Sequence, residues 1–312
     1  MASSATTSQQ GSRFGQAIVN GVAASGRMLR NELALALRTT AGKIGLPLVI
    51  FHLILATVGP LLAPYLATDF QRDEDNRVLQ LQSPNTTYWL GTDNAGRDVL
   101  SRVMSGASSI IAVSVAGAGL GIFLGTVVGM SSGYKGGRTD EIVMRVMDGL
   151  MSFPSLLLAL LVLSTLGANH ENIIATIGVV FMPRVARVLR SVTLSLKTLE
   201  FVQSARLRGE PALYIIFREI LPNAIPVLAV EASVRLSYAI LLASSLGFLG
   251  LGVQPPSPDW GLMISESRNF LVDAPWIGLA PAAGVASLVV GVNLLTDGLR
   301  QARGLPVGGD HD

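Results

Sequence analysis

The chain has 312 residues, of which 50% are hydrophobic and only 14% are charged. Ordinary soluble proteins carry about 25% charged residues. With a mean hydropathy of +0.51, a soluble domain of this size would have more apolar surface than it could bury. The net charge is +2, and the lack of cysteine excludes disulfides and thiol chemistry. Composition therefore predicts an all-α, polytopic membrane protein.

Residues 1–43 are predicted to form a cytoplasmic tail. This tail carries five basic residues against a single acid, Glu32, and it lacks the early apolar run and the cleavage site of a signal peptide. From Phe14 to Leu37 the apolar spacing is that of an amphipathic helix. Two interpretations stay open: a solvated basic tail, or an interfacial helix on the cytoplasmic leaflet.

Six apolar segments follow the tail, each close to the roughly 20 residues that cross a bilayer core. They are Ile44–Leu66, Ala107–Met130, Val143–Leu166, Ile173–Leu189, Ala224–Leu249 and Trp276–Leu299. Pro183 interrupts the fourth segment, so Arg184 and Arg187 are placed at its cytoplasmic end. The predicted organisation is the tail, a first span with an outer segment over residues 44–105, and a core of five spans over residues 106–312.

The distribution of basic residues predicts the orientation of these spans. Segments assigned to the cytoplasm hold sixteen Lys and Arg residues, whereas the outer segments hold five. Because positively charged residues concentrate in cytoplasmic loops, both termini are expected in the cytoplasm.

One face of the second span carries a glycine at every fourth residue. These glycines are Gly117, Gly121, Gly125 and Gly129. Helices in lipid associate by close packing, so such a face admits the backbone of a partner. The partner is either another helix of this chain or a second subunit that slides against it.

Charged and methionine residues within two spans are candidates for a pathway or a gate. The set is Met144, Met147, Asp148 and Met151 in the third span, and Glu231 and Arg235 in the fifth. Asp148 is expected to pair with Arg145, three residues away, and the methionines either fill space or line a gate. Glu231 and Arg235 are one turn apart, so they either pair to fix the helix or mark a functional site.

Two outer stretches stand out. The residues from Asp93 to Arg102 are predicted to form an amphipathic helix that leads into the second span. The run from Pro255 to Trp260 contains three prolines, which stiffen it. Asp259 and Trp260 within it either anchor the chain at the membrane interface or, with the Asp93–Arg102 helix, form a shelf that receives another protein.

The sequence offers no catalytic or metal-binding constellation. Its three histidines lie in different segments, and neither H-E-x-x-H nor G-x-S-x-G occurs. The phosphate-binding pattern G-x-x-x-x-G-K-[ST] is also missing. If ATP drives this protein, another polypeptide must hydrolyse it.

A polar and basic island, FVQSARLRGEPALYIIFREILPNAIP, runs from Phe201 to Pro226. It resembles the EAA loop of ABC-importer permeases, which reads Glu-Ala-Ala, three residues, Gly, and then Leu-Pro with the proline thirteen after the glycine. The resemblance implies an ATPase-coupling loop formed by Gln203, Ser204, Ala205, Arg206, Arg208, Gly209, Leu221 and Pro222. Gln203 and Ser204 replace the family's Glu and first Ala. Ala205 and Gly209 are expected to allow close approach, and Arg206 and Arg208 to meet acids on the ATPase.

Further segments resemble the C-type permease subunit of dipeptide and oligopeptide ABC importers over about residues 44–300. They are WLGTDNAGRDVLSRV, MDGLMSFPSLLLAL, PRVARVLRSVTLSLK, SLGFLGLGVQPPSPDWG and NLLTDGLR. The resemblance implies a type I importer permease fold and alternating access in the lipid bilayer of the bacterial cytoplasmic (inner) membrane.

The same resemblance implies the partners and leaves the cargo open. The expected partners are a homologous B-type permease, two cytoplasmic ATP-binding subunits that hold ATP and Mg, and an extracytoplasmic solute-binding protein. No cofactor in this chain and no nucleic acid are expected. The cargo is a dipeptide, a longer peptide, glutathione, haem or a metal chelate. The alternative functions are a secondary transporter and a non-transporting membrane scaffold.

Overall fold

A computed structural model describes residues 37–302. The amphipathic helix predicted from Phe14 to Leu37 lies outside the described residues, except for Leu37. The described chain is helical, with isolated β-bridges in its first outer segment. The helices are α1 Thr40–Leu62, α2 Val99–Lys135, α3 Gly137–Met151, α4 Ser155–Leu166, α5 His170–Leu196, α6 Glu200–Leu207, α7 Ala212–Phe248, α8 Trp260–Ser267 and α9 Trp276–Ala302. The all-α prediction is confirmed.

Five of these helices, α1, α2, α5, α7 and α9, are long and apolar enough to cross a membrane. The pair α3 and α4 passes the same criterion together and makes a sixth span if counted as one, although it bends by 88°. Each of the six predicted apolar segments therefore corresponds to a helix or to this bent pair.

The bend between α3 and α4 lies at Ser152 to Pro154. Proline lacks an N–H and is disfavoured within a helix but is accepted at a helix start. The 12 residues of α4 rise only about 18 Å, less than the roughly 30 Å of a bilayer core. The third apolar segment is therefore divided between the amphipathic helix α3 and the short apolar helix α4.

Two helices extend beyond the predicted apolar segments. Helix α5 continues through Pro183, Arg184 and Arg187 to Leu196. Helix α7 begins at Ala212, ahead of the predicted start at Ala224. The residues from Ile215 to Ile220 form a π-helical turn just ahead of Pro222, and the wider turn accommodates a residue that cannot donate a backbone hydrogen bond.

The described chain separates into two units. The larger one comprises Leu48–Asn293, and the smaller one comprises the described residues up to Pro47 together with those from Leu294. In the smaller unit, helix ends approach closely at glycines: a Cβ on Gly298 would lie 2.7 Å from the Gly42 nitrogen. The remaining features described below belong to the larger unit.

The pairing of α2 with α5 organises the larger unit. The glycine face of α2 lies directly against α5: a Cβ on Gly117 would come within 2.7 Å of Ile177, and one on Gly129 would overlap the Ala186 carbonyl. The partner of the glycine face is thus a helix of this chain, and the alternative of a sliding second subunit is not needed to explain it. Side chains cannot intervene, so the two backbones pack in direct contact.

Two apolar cores flank this helix pair. The first includes Phe181, Ile240 and Leu246, with the indole of Trp260 at its centre. The second joins Met130 and Val185 of the helix pair to buried residues of α6 and to the start of α7. Since the second core contains residues of the segment that resembles the coupling loop, it attaches this segment to helices α2 and α5.

Candidate functional site

Helix α6 is amphipathic, and its apolar face is anchored in the second core. Val202 and Ala205 are three residues apart and both fully buried, where they pack with Ile215 and Ile220. The expectation that Ala205 offers a small surface for close approach by an ATPase is wrong, because its side chain has no exposed area. Ala205 instead lets α6 lie close to the rest of its own chain.

The opposite face of α6, with the residue that follows it, is exposed and carries four of the predicted coupling residues, Gln203, Ser204, Arg206 and Arg208, together with Leu207. Leu207 is 89% exposed, and it is the residue that the sequence reasoning missed. Its position off the Val202–Ala205 stripe on a helical wheel is the signal that predicts its exposure.

Both arginines of the predicted coupling loop have partners within the chain. The Arg206 guanidinium stacks over the Tyr134 ring, 4.9 Å from its centre. Arg208 lies 3.4 Å from Glu219 and 3.9 Å from Glu210. These contacts are solvent-exposed and therefore weak, so they orient the arginines without making them unavailable to acids on another protein.

Gly209 ends α6 in a left-handed conformation, with φ of +77°. Its N–H donates to the Arg206 carbonyl at 2.9 Å, and the Glu210 N–H donates to the Ala205 carbonyl at 3.2 Å. This pair of bonds is the Schellman motif, which favours glycine because a Cβ is strained at positive φ. Among the described residues, no atom beyond the neighbouring residues in the chain lies within 4 Å of a Cβ placed on Gly209. Within this chain, the glycine is required by the turn rather than by close packing.

Leu221 and Pro222 continue helix α7 behind the π-helical turn. Leu221 is half-buried against the second core and Pro222 is exposed. The Asn223 side chain donates to the Glu219 carbonyl at 2.7 Å. The coupling segment is therefore a short helix, a glycine turn and a returning helix, all fixed on one apolar core.

The predicted ion pair between Arg145 and Asp148 is wrong. Arg145 lies 3.1 Å from Glu141 on its own helix, and Asp148 lies 2.5 Å from Arg187 of α5. Arg190, one turn further along α5, holds Asp140 through two bonds of 2.6 Å. Two ion pairs thus join α3 to α5. The residues of these two ion pairs are 39 and 50 positions apart in the sequence, so no local spacing pattern predicts the pairing.

The methionines of α3 differ in burial. Met147 is 6% exposed, whereas Met144 and Met151 are half-buried. Met147 therefore fills space in the protein interior, whereas Met144 and Met151 are partly exposed on the surface of α3.

Glu231 and Arg235 lie together as their spacing predicts. The Arg235 Nε is 2.7 Å from a carboxylate oxygen of Glu231, and the two side chains are only 11% and 13% exposed. The N–H does not point at this oxygen, so the contact is an ion pair without a well-aligned hydrogen bond. The guanidinium also lies over the rings of Tyr238, at 5.4 Å, and Phe181, at 6.0 Å.

The helix predicted from Asp93 to Arg102 is wrong for its first half. Helix α2 begins at Val99, with the Asp98 carboxylate accepting from the Ser101 N–H at 2.8 Å. Residues 91–98 form a turn in which the buried Asp93 accepts backbone N–H groups. Asp side chains that bond to nearby backbone N–H groups favour a turn over a helix, which explains why the helix does not extend back to Asp93. A network of charged side chains also holds this turn.

That network consists of two acids and two arginines. Asp93 contacts Arg97 at 2.7 Å and Arg102 at 2.5 Å. Glu266, in α8, contacts the same two arginines at 3.1 and 3.0 Å. The network ties the start of α2 to α8, so the two outer stretches singled out in the sequence do meet in space.

Asp259 and Trp260 are interior residues, so neither side chain can act as an interfacial anchor or touch a docked protein. Trp260 is fully buried, and its indole N–H donates to the Val103 carbonyl at 2.9 Å. Asp259 is 3% exposed and caps α8 by accepting the Leu262 N–H at 2.9 Å. Both expectations of surface exposure are wrong because this turn folds back onto α2.

Burial raises the pKa of the Asp259 carboxyl to about 6, although its bonds to the N–H groups of Leu262 and Gly261 and the nearby His170 act to lower it. Desolvation penalises the charged form of a carboxyl group.

Over residues 37–302 there is no group of three or more His, Asp or Glu side chains placed to hold a metal ion.

Residues 97–303 match the family described as binding-protein-dependent transport system inner membrane component. The chain is 36% identical over 276 residues to a dipeptide transport system permease protein DppC of Alkalihalophilus pseudofirmus, with 88% of this chain and 86% of the relative covered. It is 37% identical over 277 residues to a glutathione transport system permease protein GsiD of Pectobacterium atrosepticum, with 88% of each chain covered. A GsiD protein of Escherichia coli is 39% identical over 254 residues, with 81% of this chain and 82% of the relative covered.

Proposed function

The chain belongs to the family of binding-protein-dependent transport system inner membrane components, and from this premise we propose how its parts carry out import. It is a permease subunit of an ABC importer, and it is not an ATPase itself.

The exposed face of α6 binds a cytoplasmic ATP-binding subunit. The observation that carries this proposal is Leu207, a leucine that is 89% exposed at the end of a helix whose other face is fully buried. Exposed apolar side chains rimmed by polar and charged residues are typical of protein interfaces. Leu213 and Phe217, which are 68% and 48% exposed, extend the apolar surface along the segment.

The second core gives this contact a mechanical consequence. Movement of an ATPase against α6 pushes on Val202 and Ala205, which pack with the start of α7 and with Val185 of α5. Interiors are close-packed and transmit displacement rather than absorb it. The ATP-driven closing of two ATPases therefore reaches the membrane helices through this core, while ATP and Mg remain on the ATPase subunits.

A homologous permease completes the pathway beside this subunit, and both termini of this chain lie in the cytoplasm. The positive-inside bias supports this orientation, since it places α6 on the same side as the ATPases. An extracytoplasmic solute-binding protein docks on the outer turn at Pro255 to Ser257, whose residues are exposed. Buried Asp259 and Trp260 and the Asp93–Glu266 network support that turn from beneath.

The cargo is a short peptide or a peptide-like solute such as glutathione. The support is that proteins named for dipeptide and for glutathione transport resemble this chain over most of their length. Both solutes share a peptide backbone and a terminal carboxylate. Uptake of labelled dipeptides, longer peptides and glutathione by a deletion strain carrying this chain distinguishes among them.

Substitution of Leu207 by Glu tests the ATPase contact. Leu207→Glu places a charge on the proposed apolar anchor, so we expect the tagged permease to lose most co-purified ATPase and solute uptake. Val272→Glu is the matched control, because Val272 is 95% exposed but lies in the outer segment before α9. If both variants retain the same amount of ATPase, the proposal that α6 forms the ATPase interface is wrong.

A further inference from the structure

The outer segment presents a large apolar surface that the importer model leaves without a role. Trp89 is 70% exposed, and so is Leu66; Phe70 is 56% exposed. The sequence reasoning placed the interfacial tryptophan at position 260, which is fully buried. A tryptophan ring is costly to leave in water, so its exposure calls for an occupant.

The exposure of Trp89 is built into a held turn. The Asn85 side chain accepts the N–H groups of Thr87 and Tyr88 at 2.9 and 2.8 Å. The Gly91 N–H donates to the Tyr88 carbonyl at 2.9 Å. Three hydrogen bonds thus fix the backbone on both sides of Trp89, and the ring projects from a defined position.

Contacts from this turn lead to the outer ends of two membrane-spanning helices. The Tyr88 ring lies 5.6 Å from the ring of Tyr65, which follows α1 by three residues. The indole N–H of Trp276, the first residue of α9, donates to the Thr92 carbonyl at 3.4 Å. Because hydrophobic spans end at the bilayer boundary, these two contacts place the turn at the depth of the outer interface.

Apolar exposure and the lack of charge agree with that depth. The exposed side chains of α1 continue to its outer end at Leu61, 83% exposed, and Leu62, 68% exposed, and then through Leu66 towards Phe70. Residues 78–92 contain no charged side chain, whereas the acids of this outer segment lie before this run, between Asp69 and Asp75, and after it, at Asp93 and Asp98. A neutral stretch with Trp and Tyr suits the headgroup and upper acyl region of a bilayer.

We propose that the Trp89 turn, residues 85–91, lies on the outer leaflet and inserts its tryptophan between lipid headgroups. The turn thereby holds the outer segment against the membrane, with Leu66 and Phe70 continuing the lipid contact from α1. Continuity with the lipid-facing side of α1 favours this occupant over a protein partner.

Site-directed labelling in the assembled importer tests the proposal. The chain has no cysteine, so Trp89→Cys and the exposed control Glu74→Cys each give this subunit one thiol for a nitroxide label. The importer with the unsubstituted chain, treated identically in lipid nanodiscs, supplies the background from partner subunits. Collisions with oxygen, which concentrates in lipid, are compared with collisions with a water-soluble nickel complex.

We expect the label at position 89 to collide preferentially with oxygen and the label at position 74 with nickel, and neither ratio to change when binding protein is added. A nickel-accessible label at position 89 that becomes protected by the binding protein would overturn the proposal and make the turn a docking surface. Protection from both reagents would overturn it in favour of the second permease subunit.

An independent measurement avoids any label. Lipids brominated near the headgroup should quench part of the tryptophan fluorescence of the wild-type importer, and that part should be lost in Trp89→Phe. Lipid quenching that is equal in the two proteins would contradict the lipid contact. Neither measurement requires ATPase binding through Leu207, so the two proposals fail independently.

Discussion

Glu231 and Arg235 form an ion pair within an apolar helix, and removing one partner strands the other's charge in a medium of low polarity. We expect Glu231→Gln and Arg235→Gln each to destabilise the protein more than the double variant does. The coupling energy should be of the order of 1–3 kcal/mol. Unfolding titrations in mixed micelles on the four proteins of the cycle measure it.

Glu141 and Arg145 provide the control for that cycle. They have the same residue types at the same i, i+4 spacing and lie 3.1 Å apart, but their side chains are 67% and 80% exposed. Their coupling should be only about 0.3–0.5 kcal/mol. Similar coupling for the two pairs would mean that Glu231 and Arg235 face water independently in the assembled protein.

Asp259 should make stability depend on pH in an unusual direction. Its folded-state pKa of about 6 lies above the ordinary 3.8, so the folded chain binds the proton more tightly than the unfolded chain. Stability from the protonated form is present below about pH 4 and is lost as the pH rises towards 6. Asp259→Asn keeps an acceptor for the Leu262 N–H but cannot ionise.

Between pH 5 and pH 7 the wild type should therefore lose about 1 kcal/mol of stability relative to Asp259→Asn, since one pKa unit corresponds to about 1.4 kcal/mol. Unfolding is measured for both proteins in a His170→Gln background, so that the neighbouring imidazole does not contribute to the comparison. Parallel pH profiles would show that the carboxyl is ionised throughout.

At the scale of helices, the packing of α2 on α5 depends on glycine at defined positions. A Cβ on Gly129 would overlap the Ala186 carbonyl, whereas a Cβ on Gly119 of the same helix meets nothing within 4 Å. We expect Gly129→Ala to destabilise the protein by about 1–3 kcal/mol through overpacking. Gly119→Ala should be neutral or stabilising by about 0.5–1 kcal/mol, because alanine favours helix over glycine.

Thermal unfolding of the two variants in detergent measures this difference. If Gly119→Ala is the more damaging change, the exposed face of α2, rather than its glycine face, carries the critical contact in the assembled importer. If both are neutral, α2 and α5 separate more easily than close backbone packing implies.

At the scale of the whole molecule, the orientation in the membrane is the property on which the functional proposal depends. Ser204 in α6 and Ser257 in the outer turn are both exposed, and the chain has no cysteine of its own. In intact cells, a membrane-impermeant maleimide should label Ser257→Cys but not Ser204→Cys. In permeabilised cells that lack the ATPase subunits, both variants should be labelled, whereas the unsubstituted chain should not be labelled under either condition.

If Ser204→Cys is labelled from outside intact cells, the proposed orientation is wrong, and α6 does not lie on the side of the ATPases. Labelling of both positions in intact cells would contradict a membrane-spanning arrangement between α6 and the outer turn. Uptake by each variant shows whether the labelled population is functional.

The sequence by itself determined the helical class, the six apolar segments and the family. These properties depend on hydropathy, periodicity and the spacing of a few residues along a continuous stretch, all of which are local. The contact between Glu231 and Arg235 was also predictable, because one helical turn brings them together regardless of the fold.

Only the tertiary structure decided which side chains face inward and which distant charges meet. Trp260 is buried because the turn before α8 folds back onto α2, and Asp148 pairs with Arg187 rather than with Arg145 because α3 lies along α5. In α6, Leu207 is exposed and Ala205 is buried, since the second core covers one side of that helix. Such outcomes depend on contacts between residues far apart in sequence, where tertiary packing overrides local pattern.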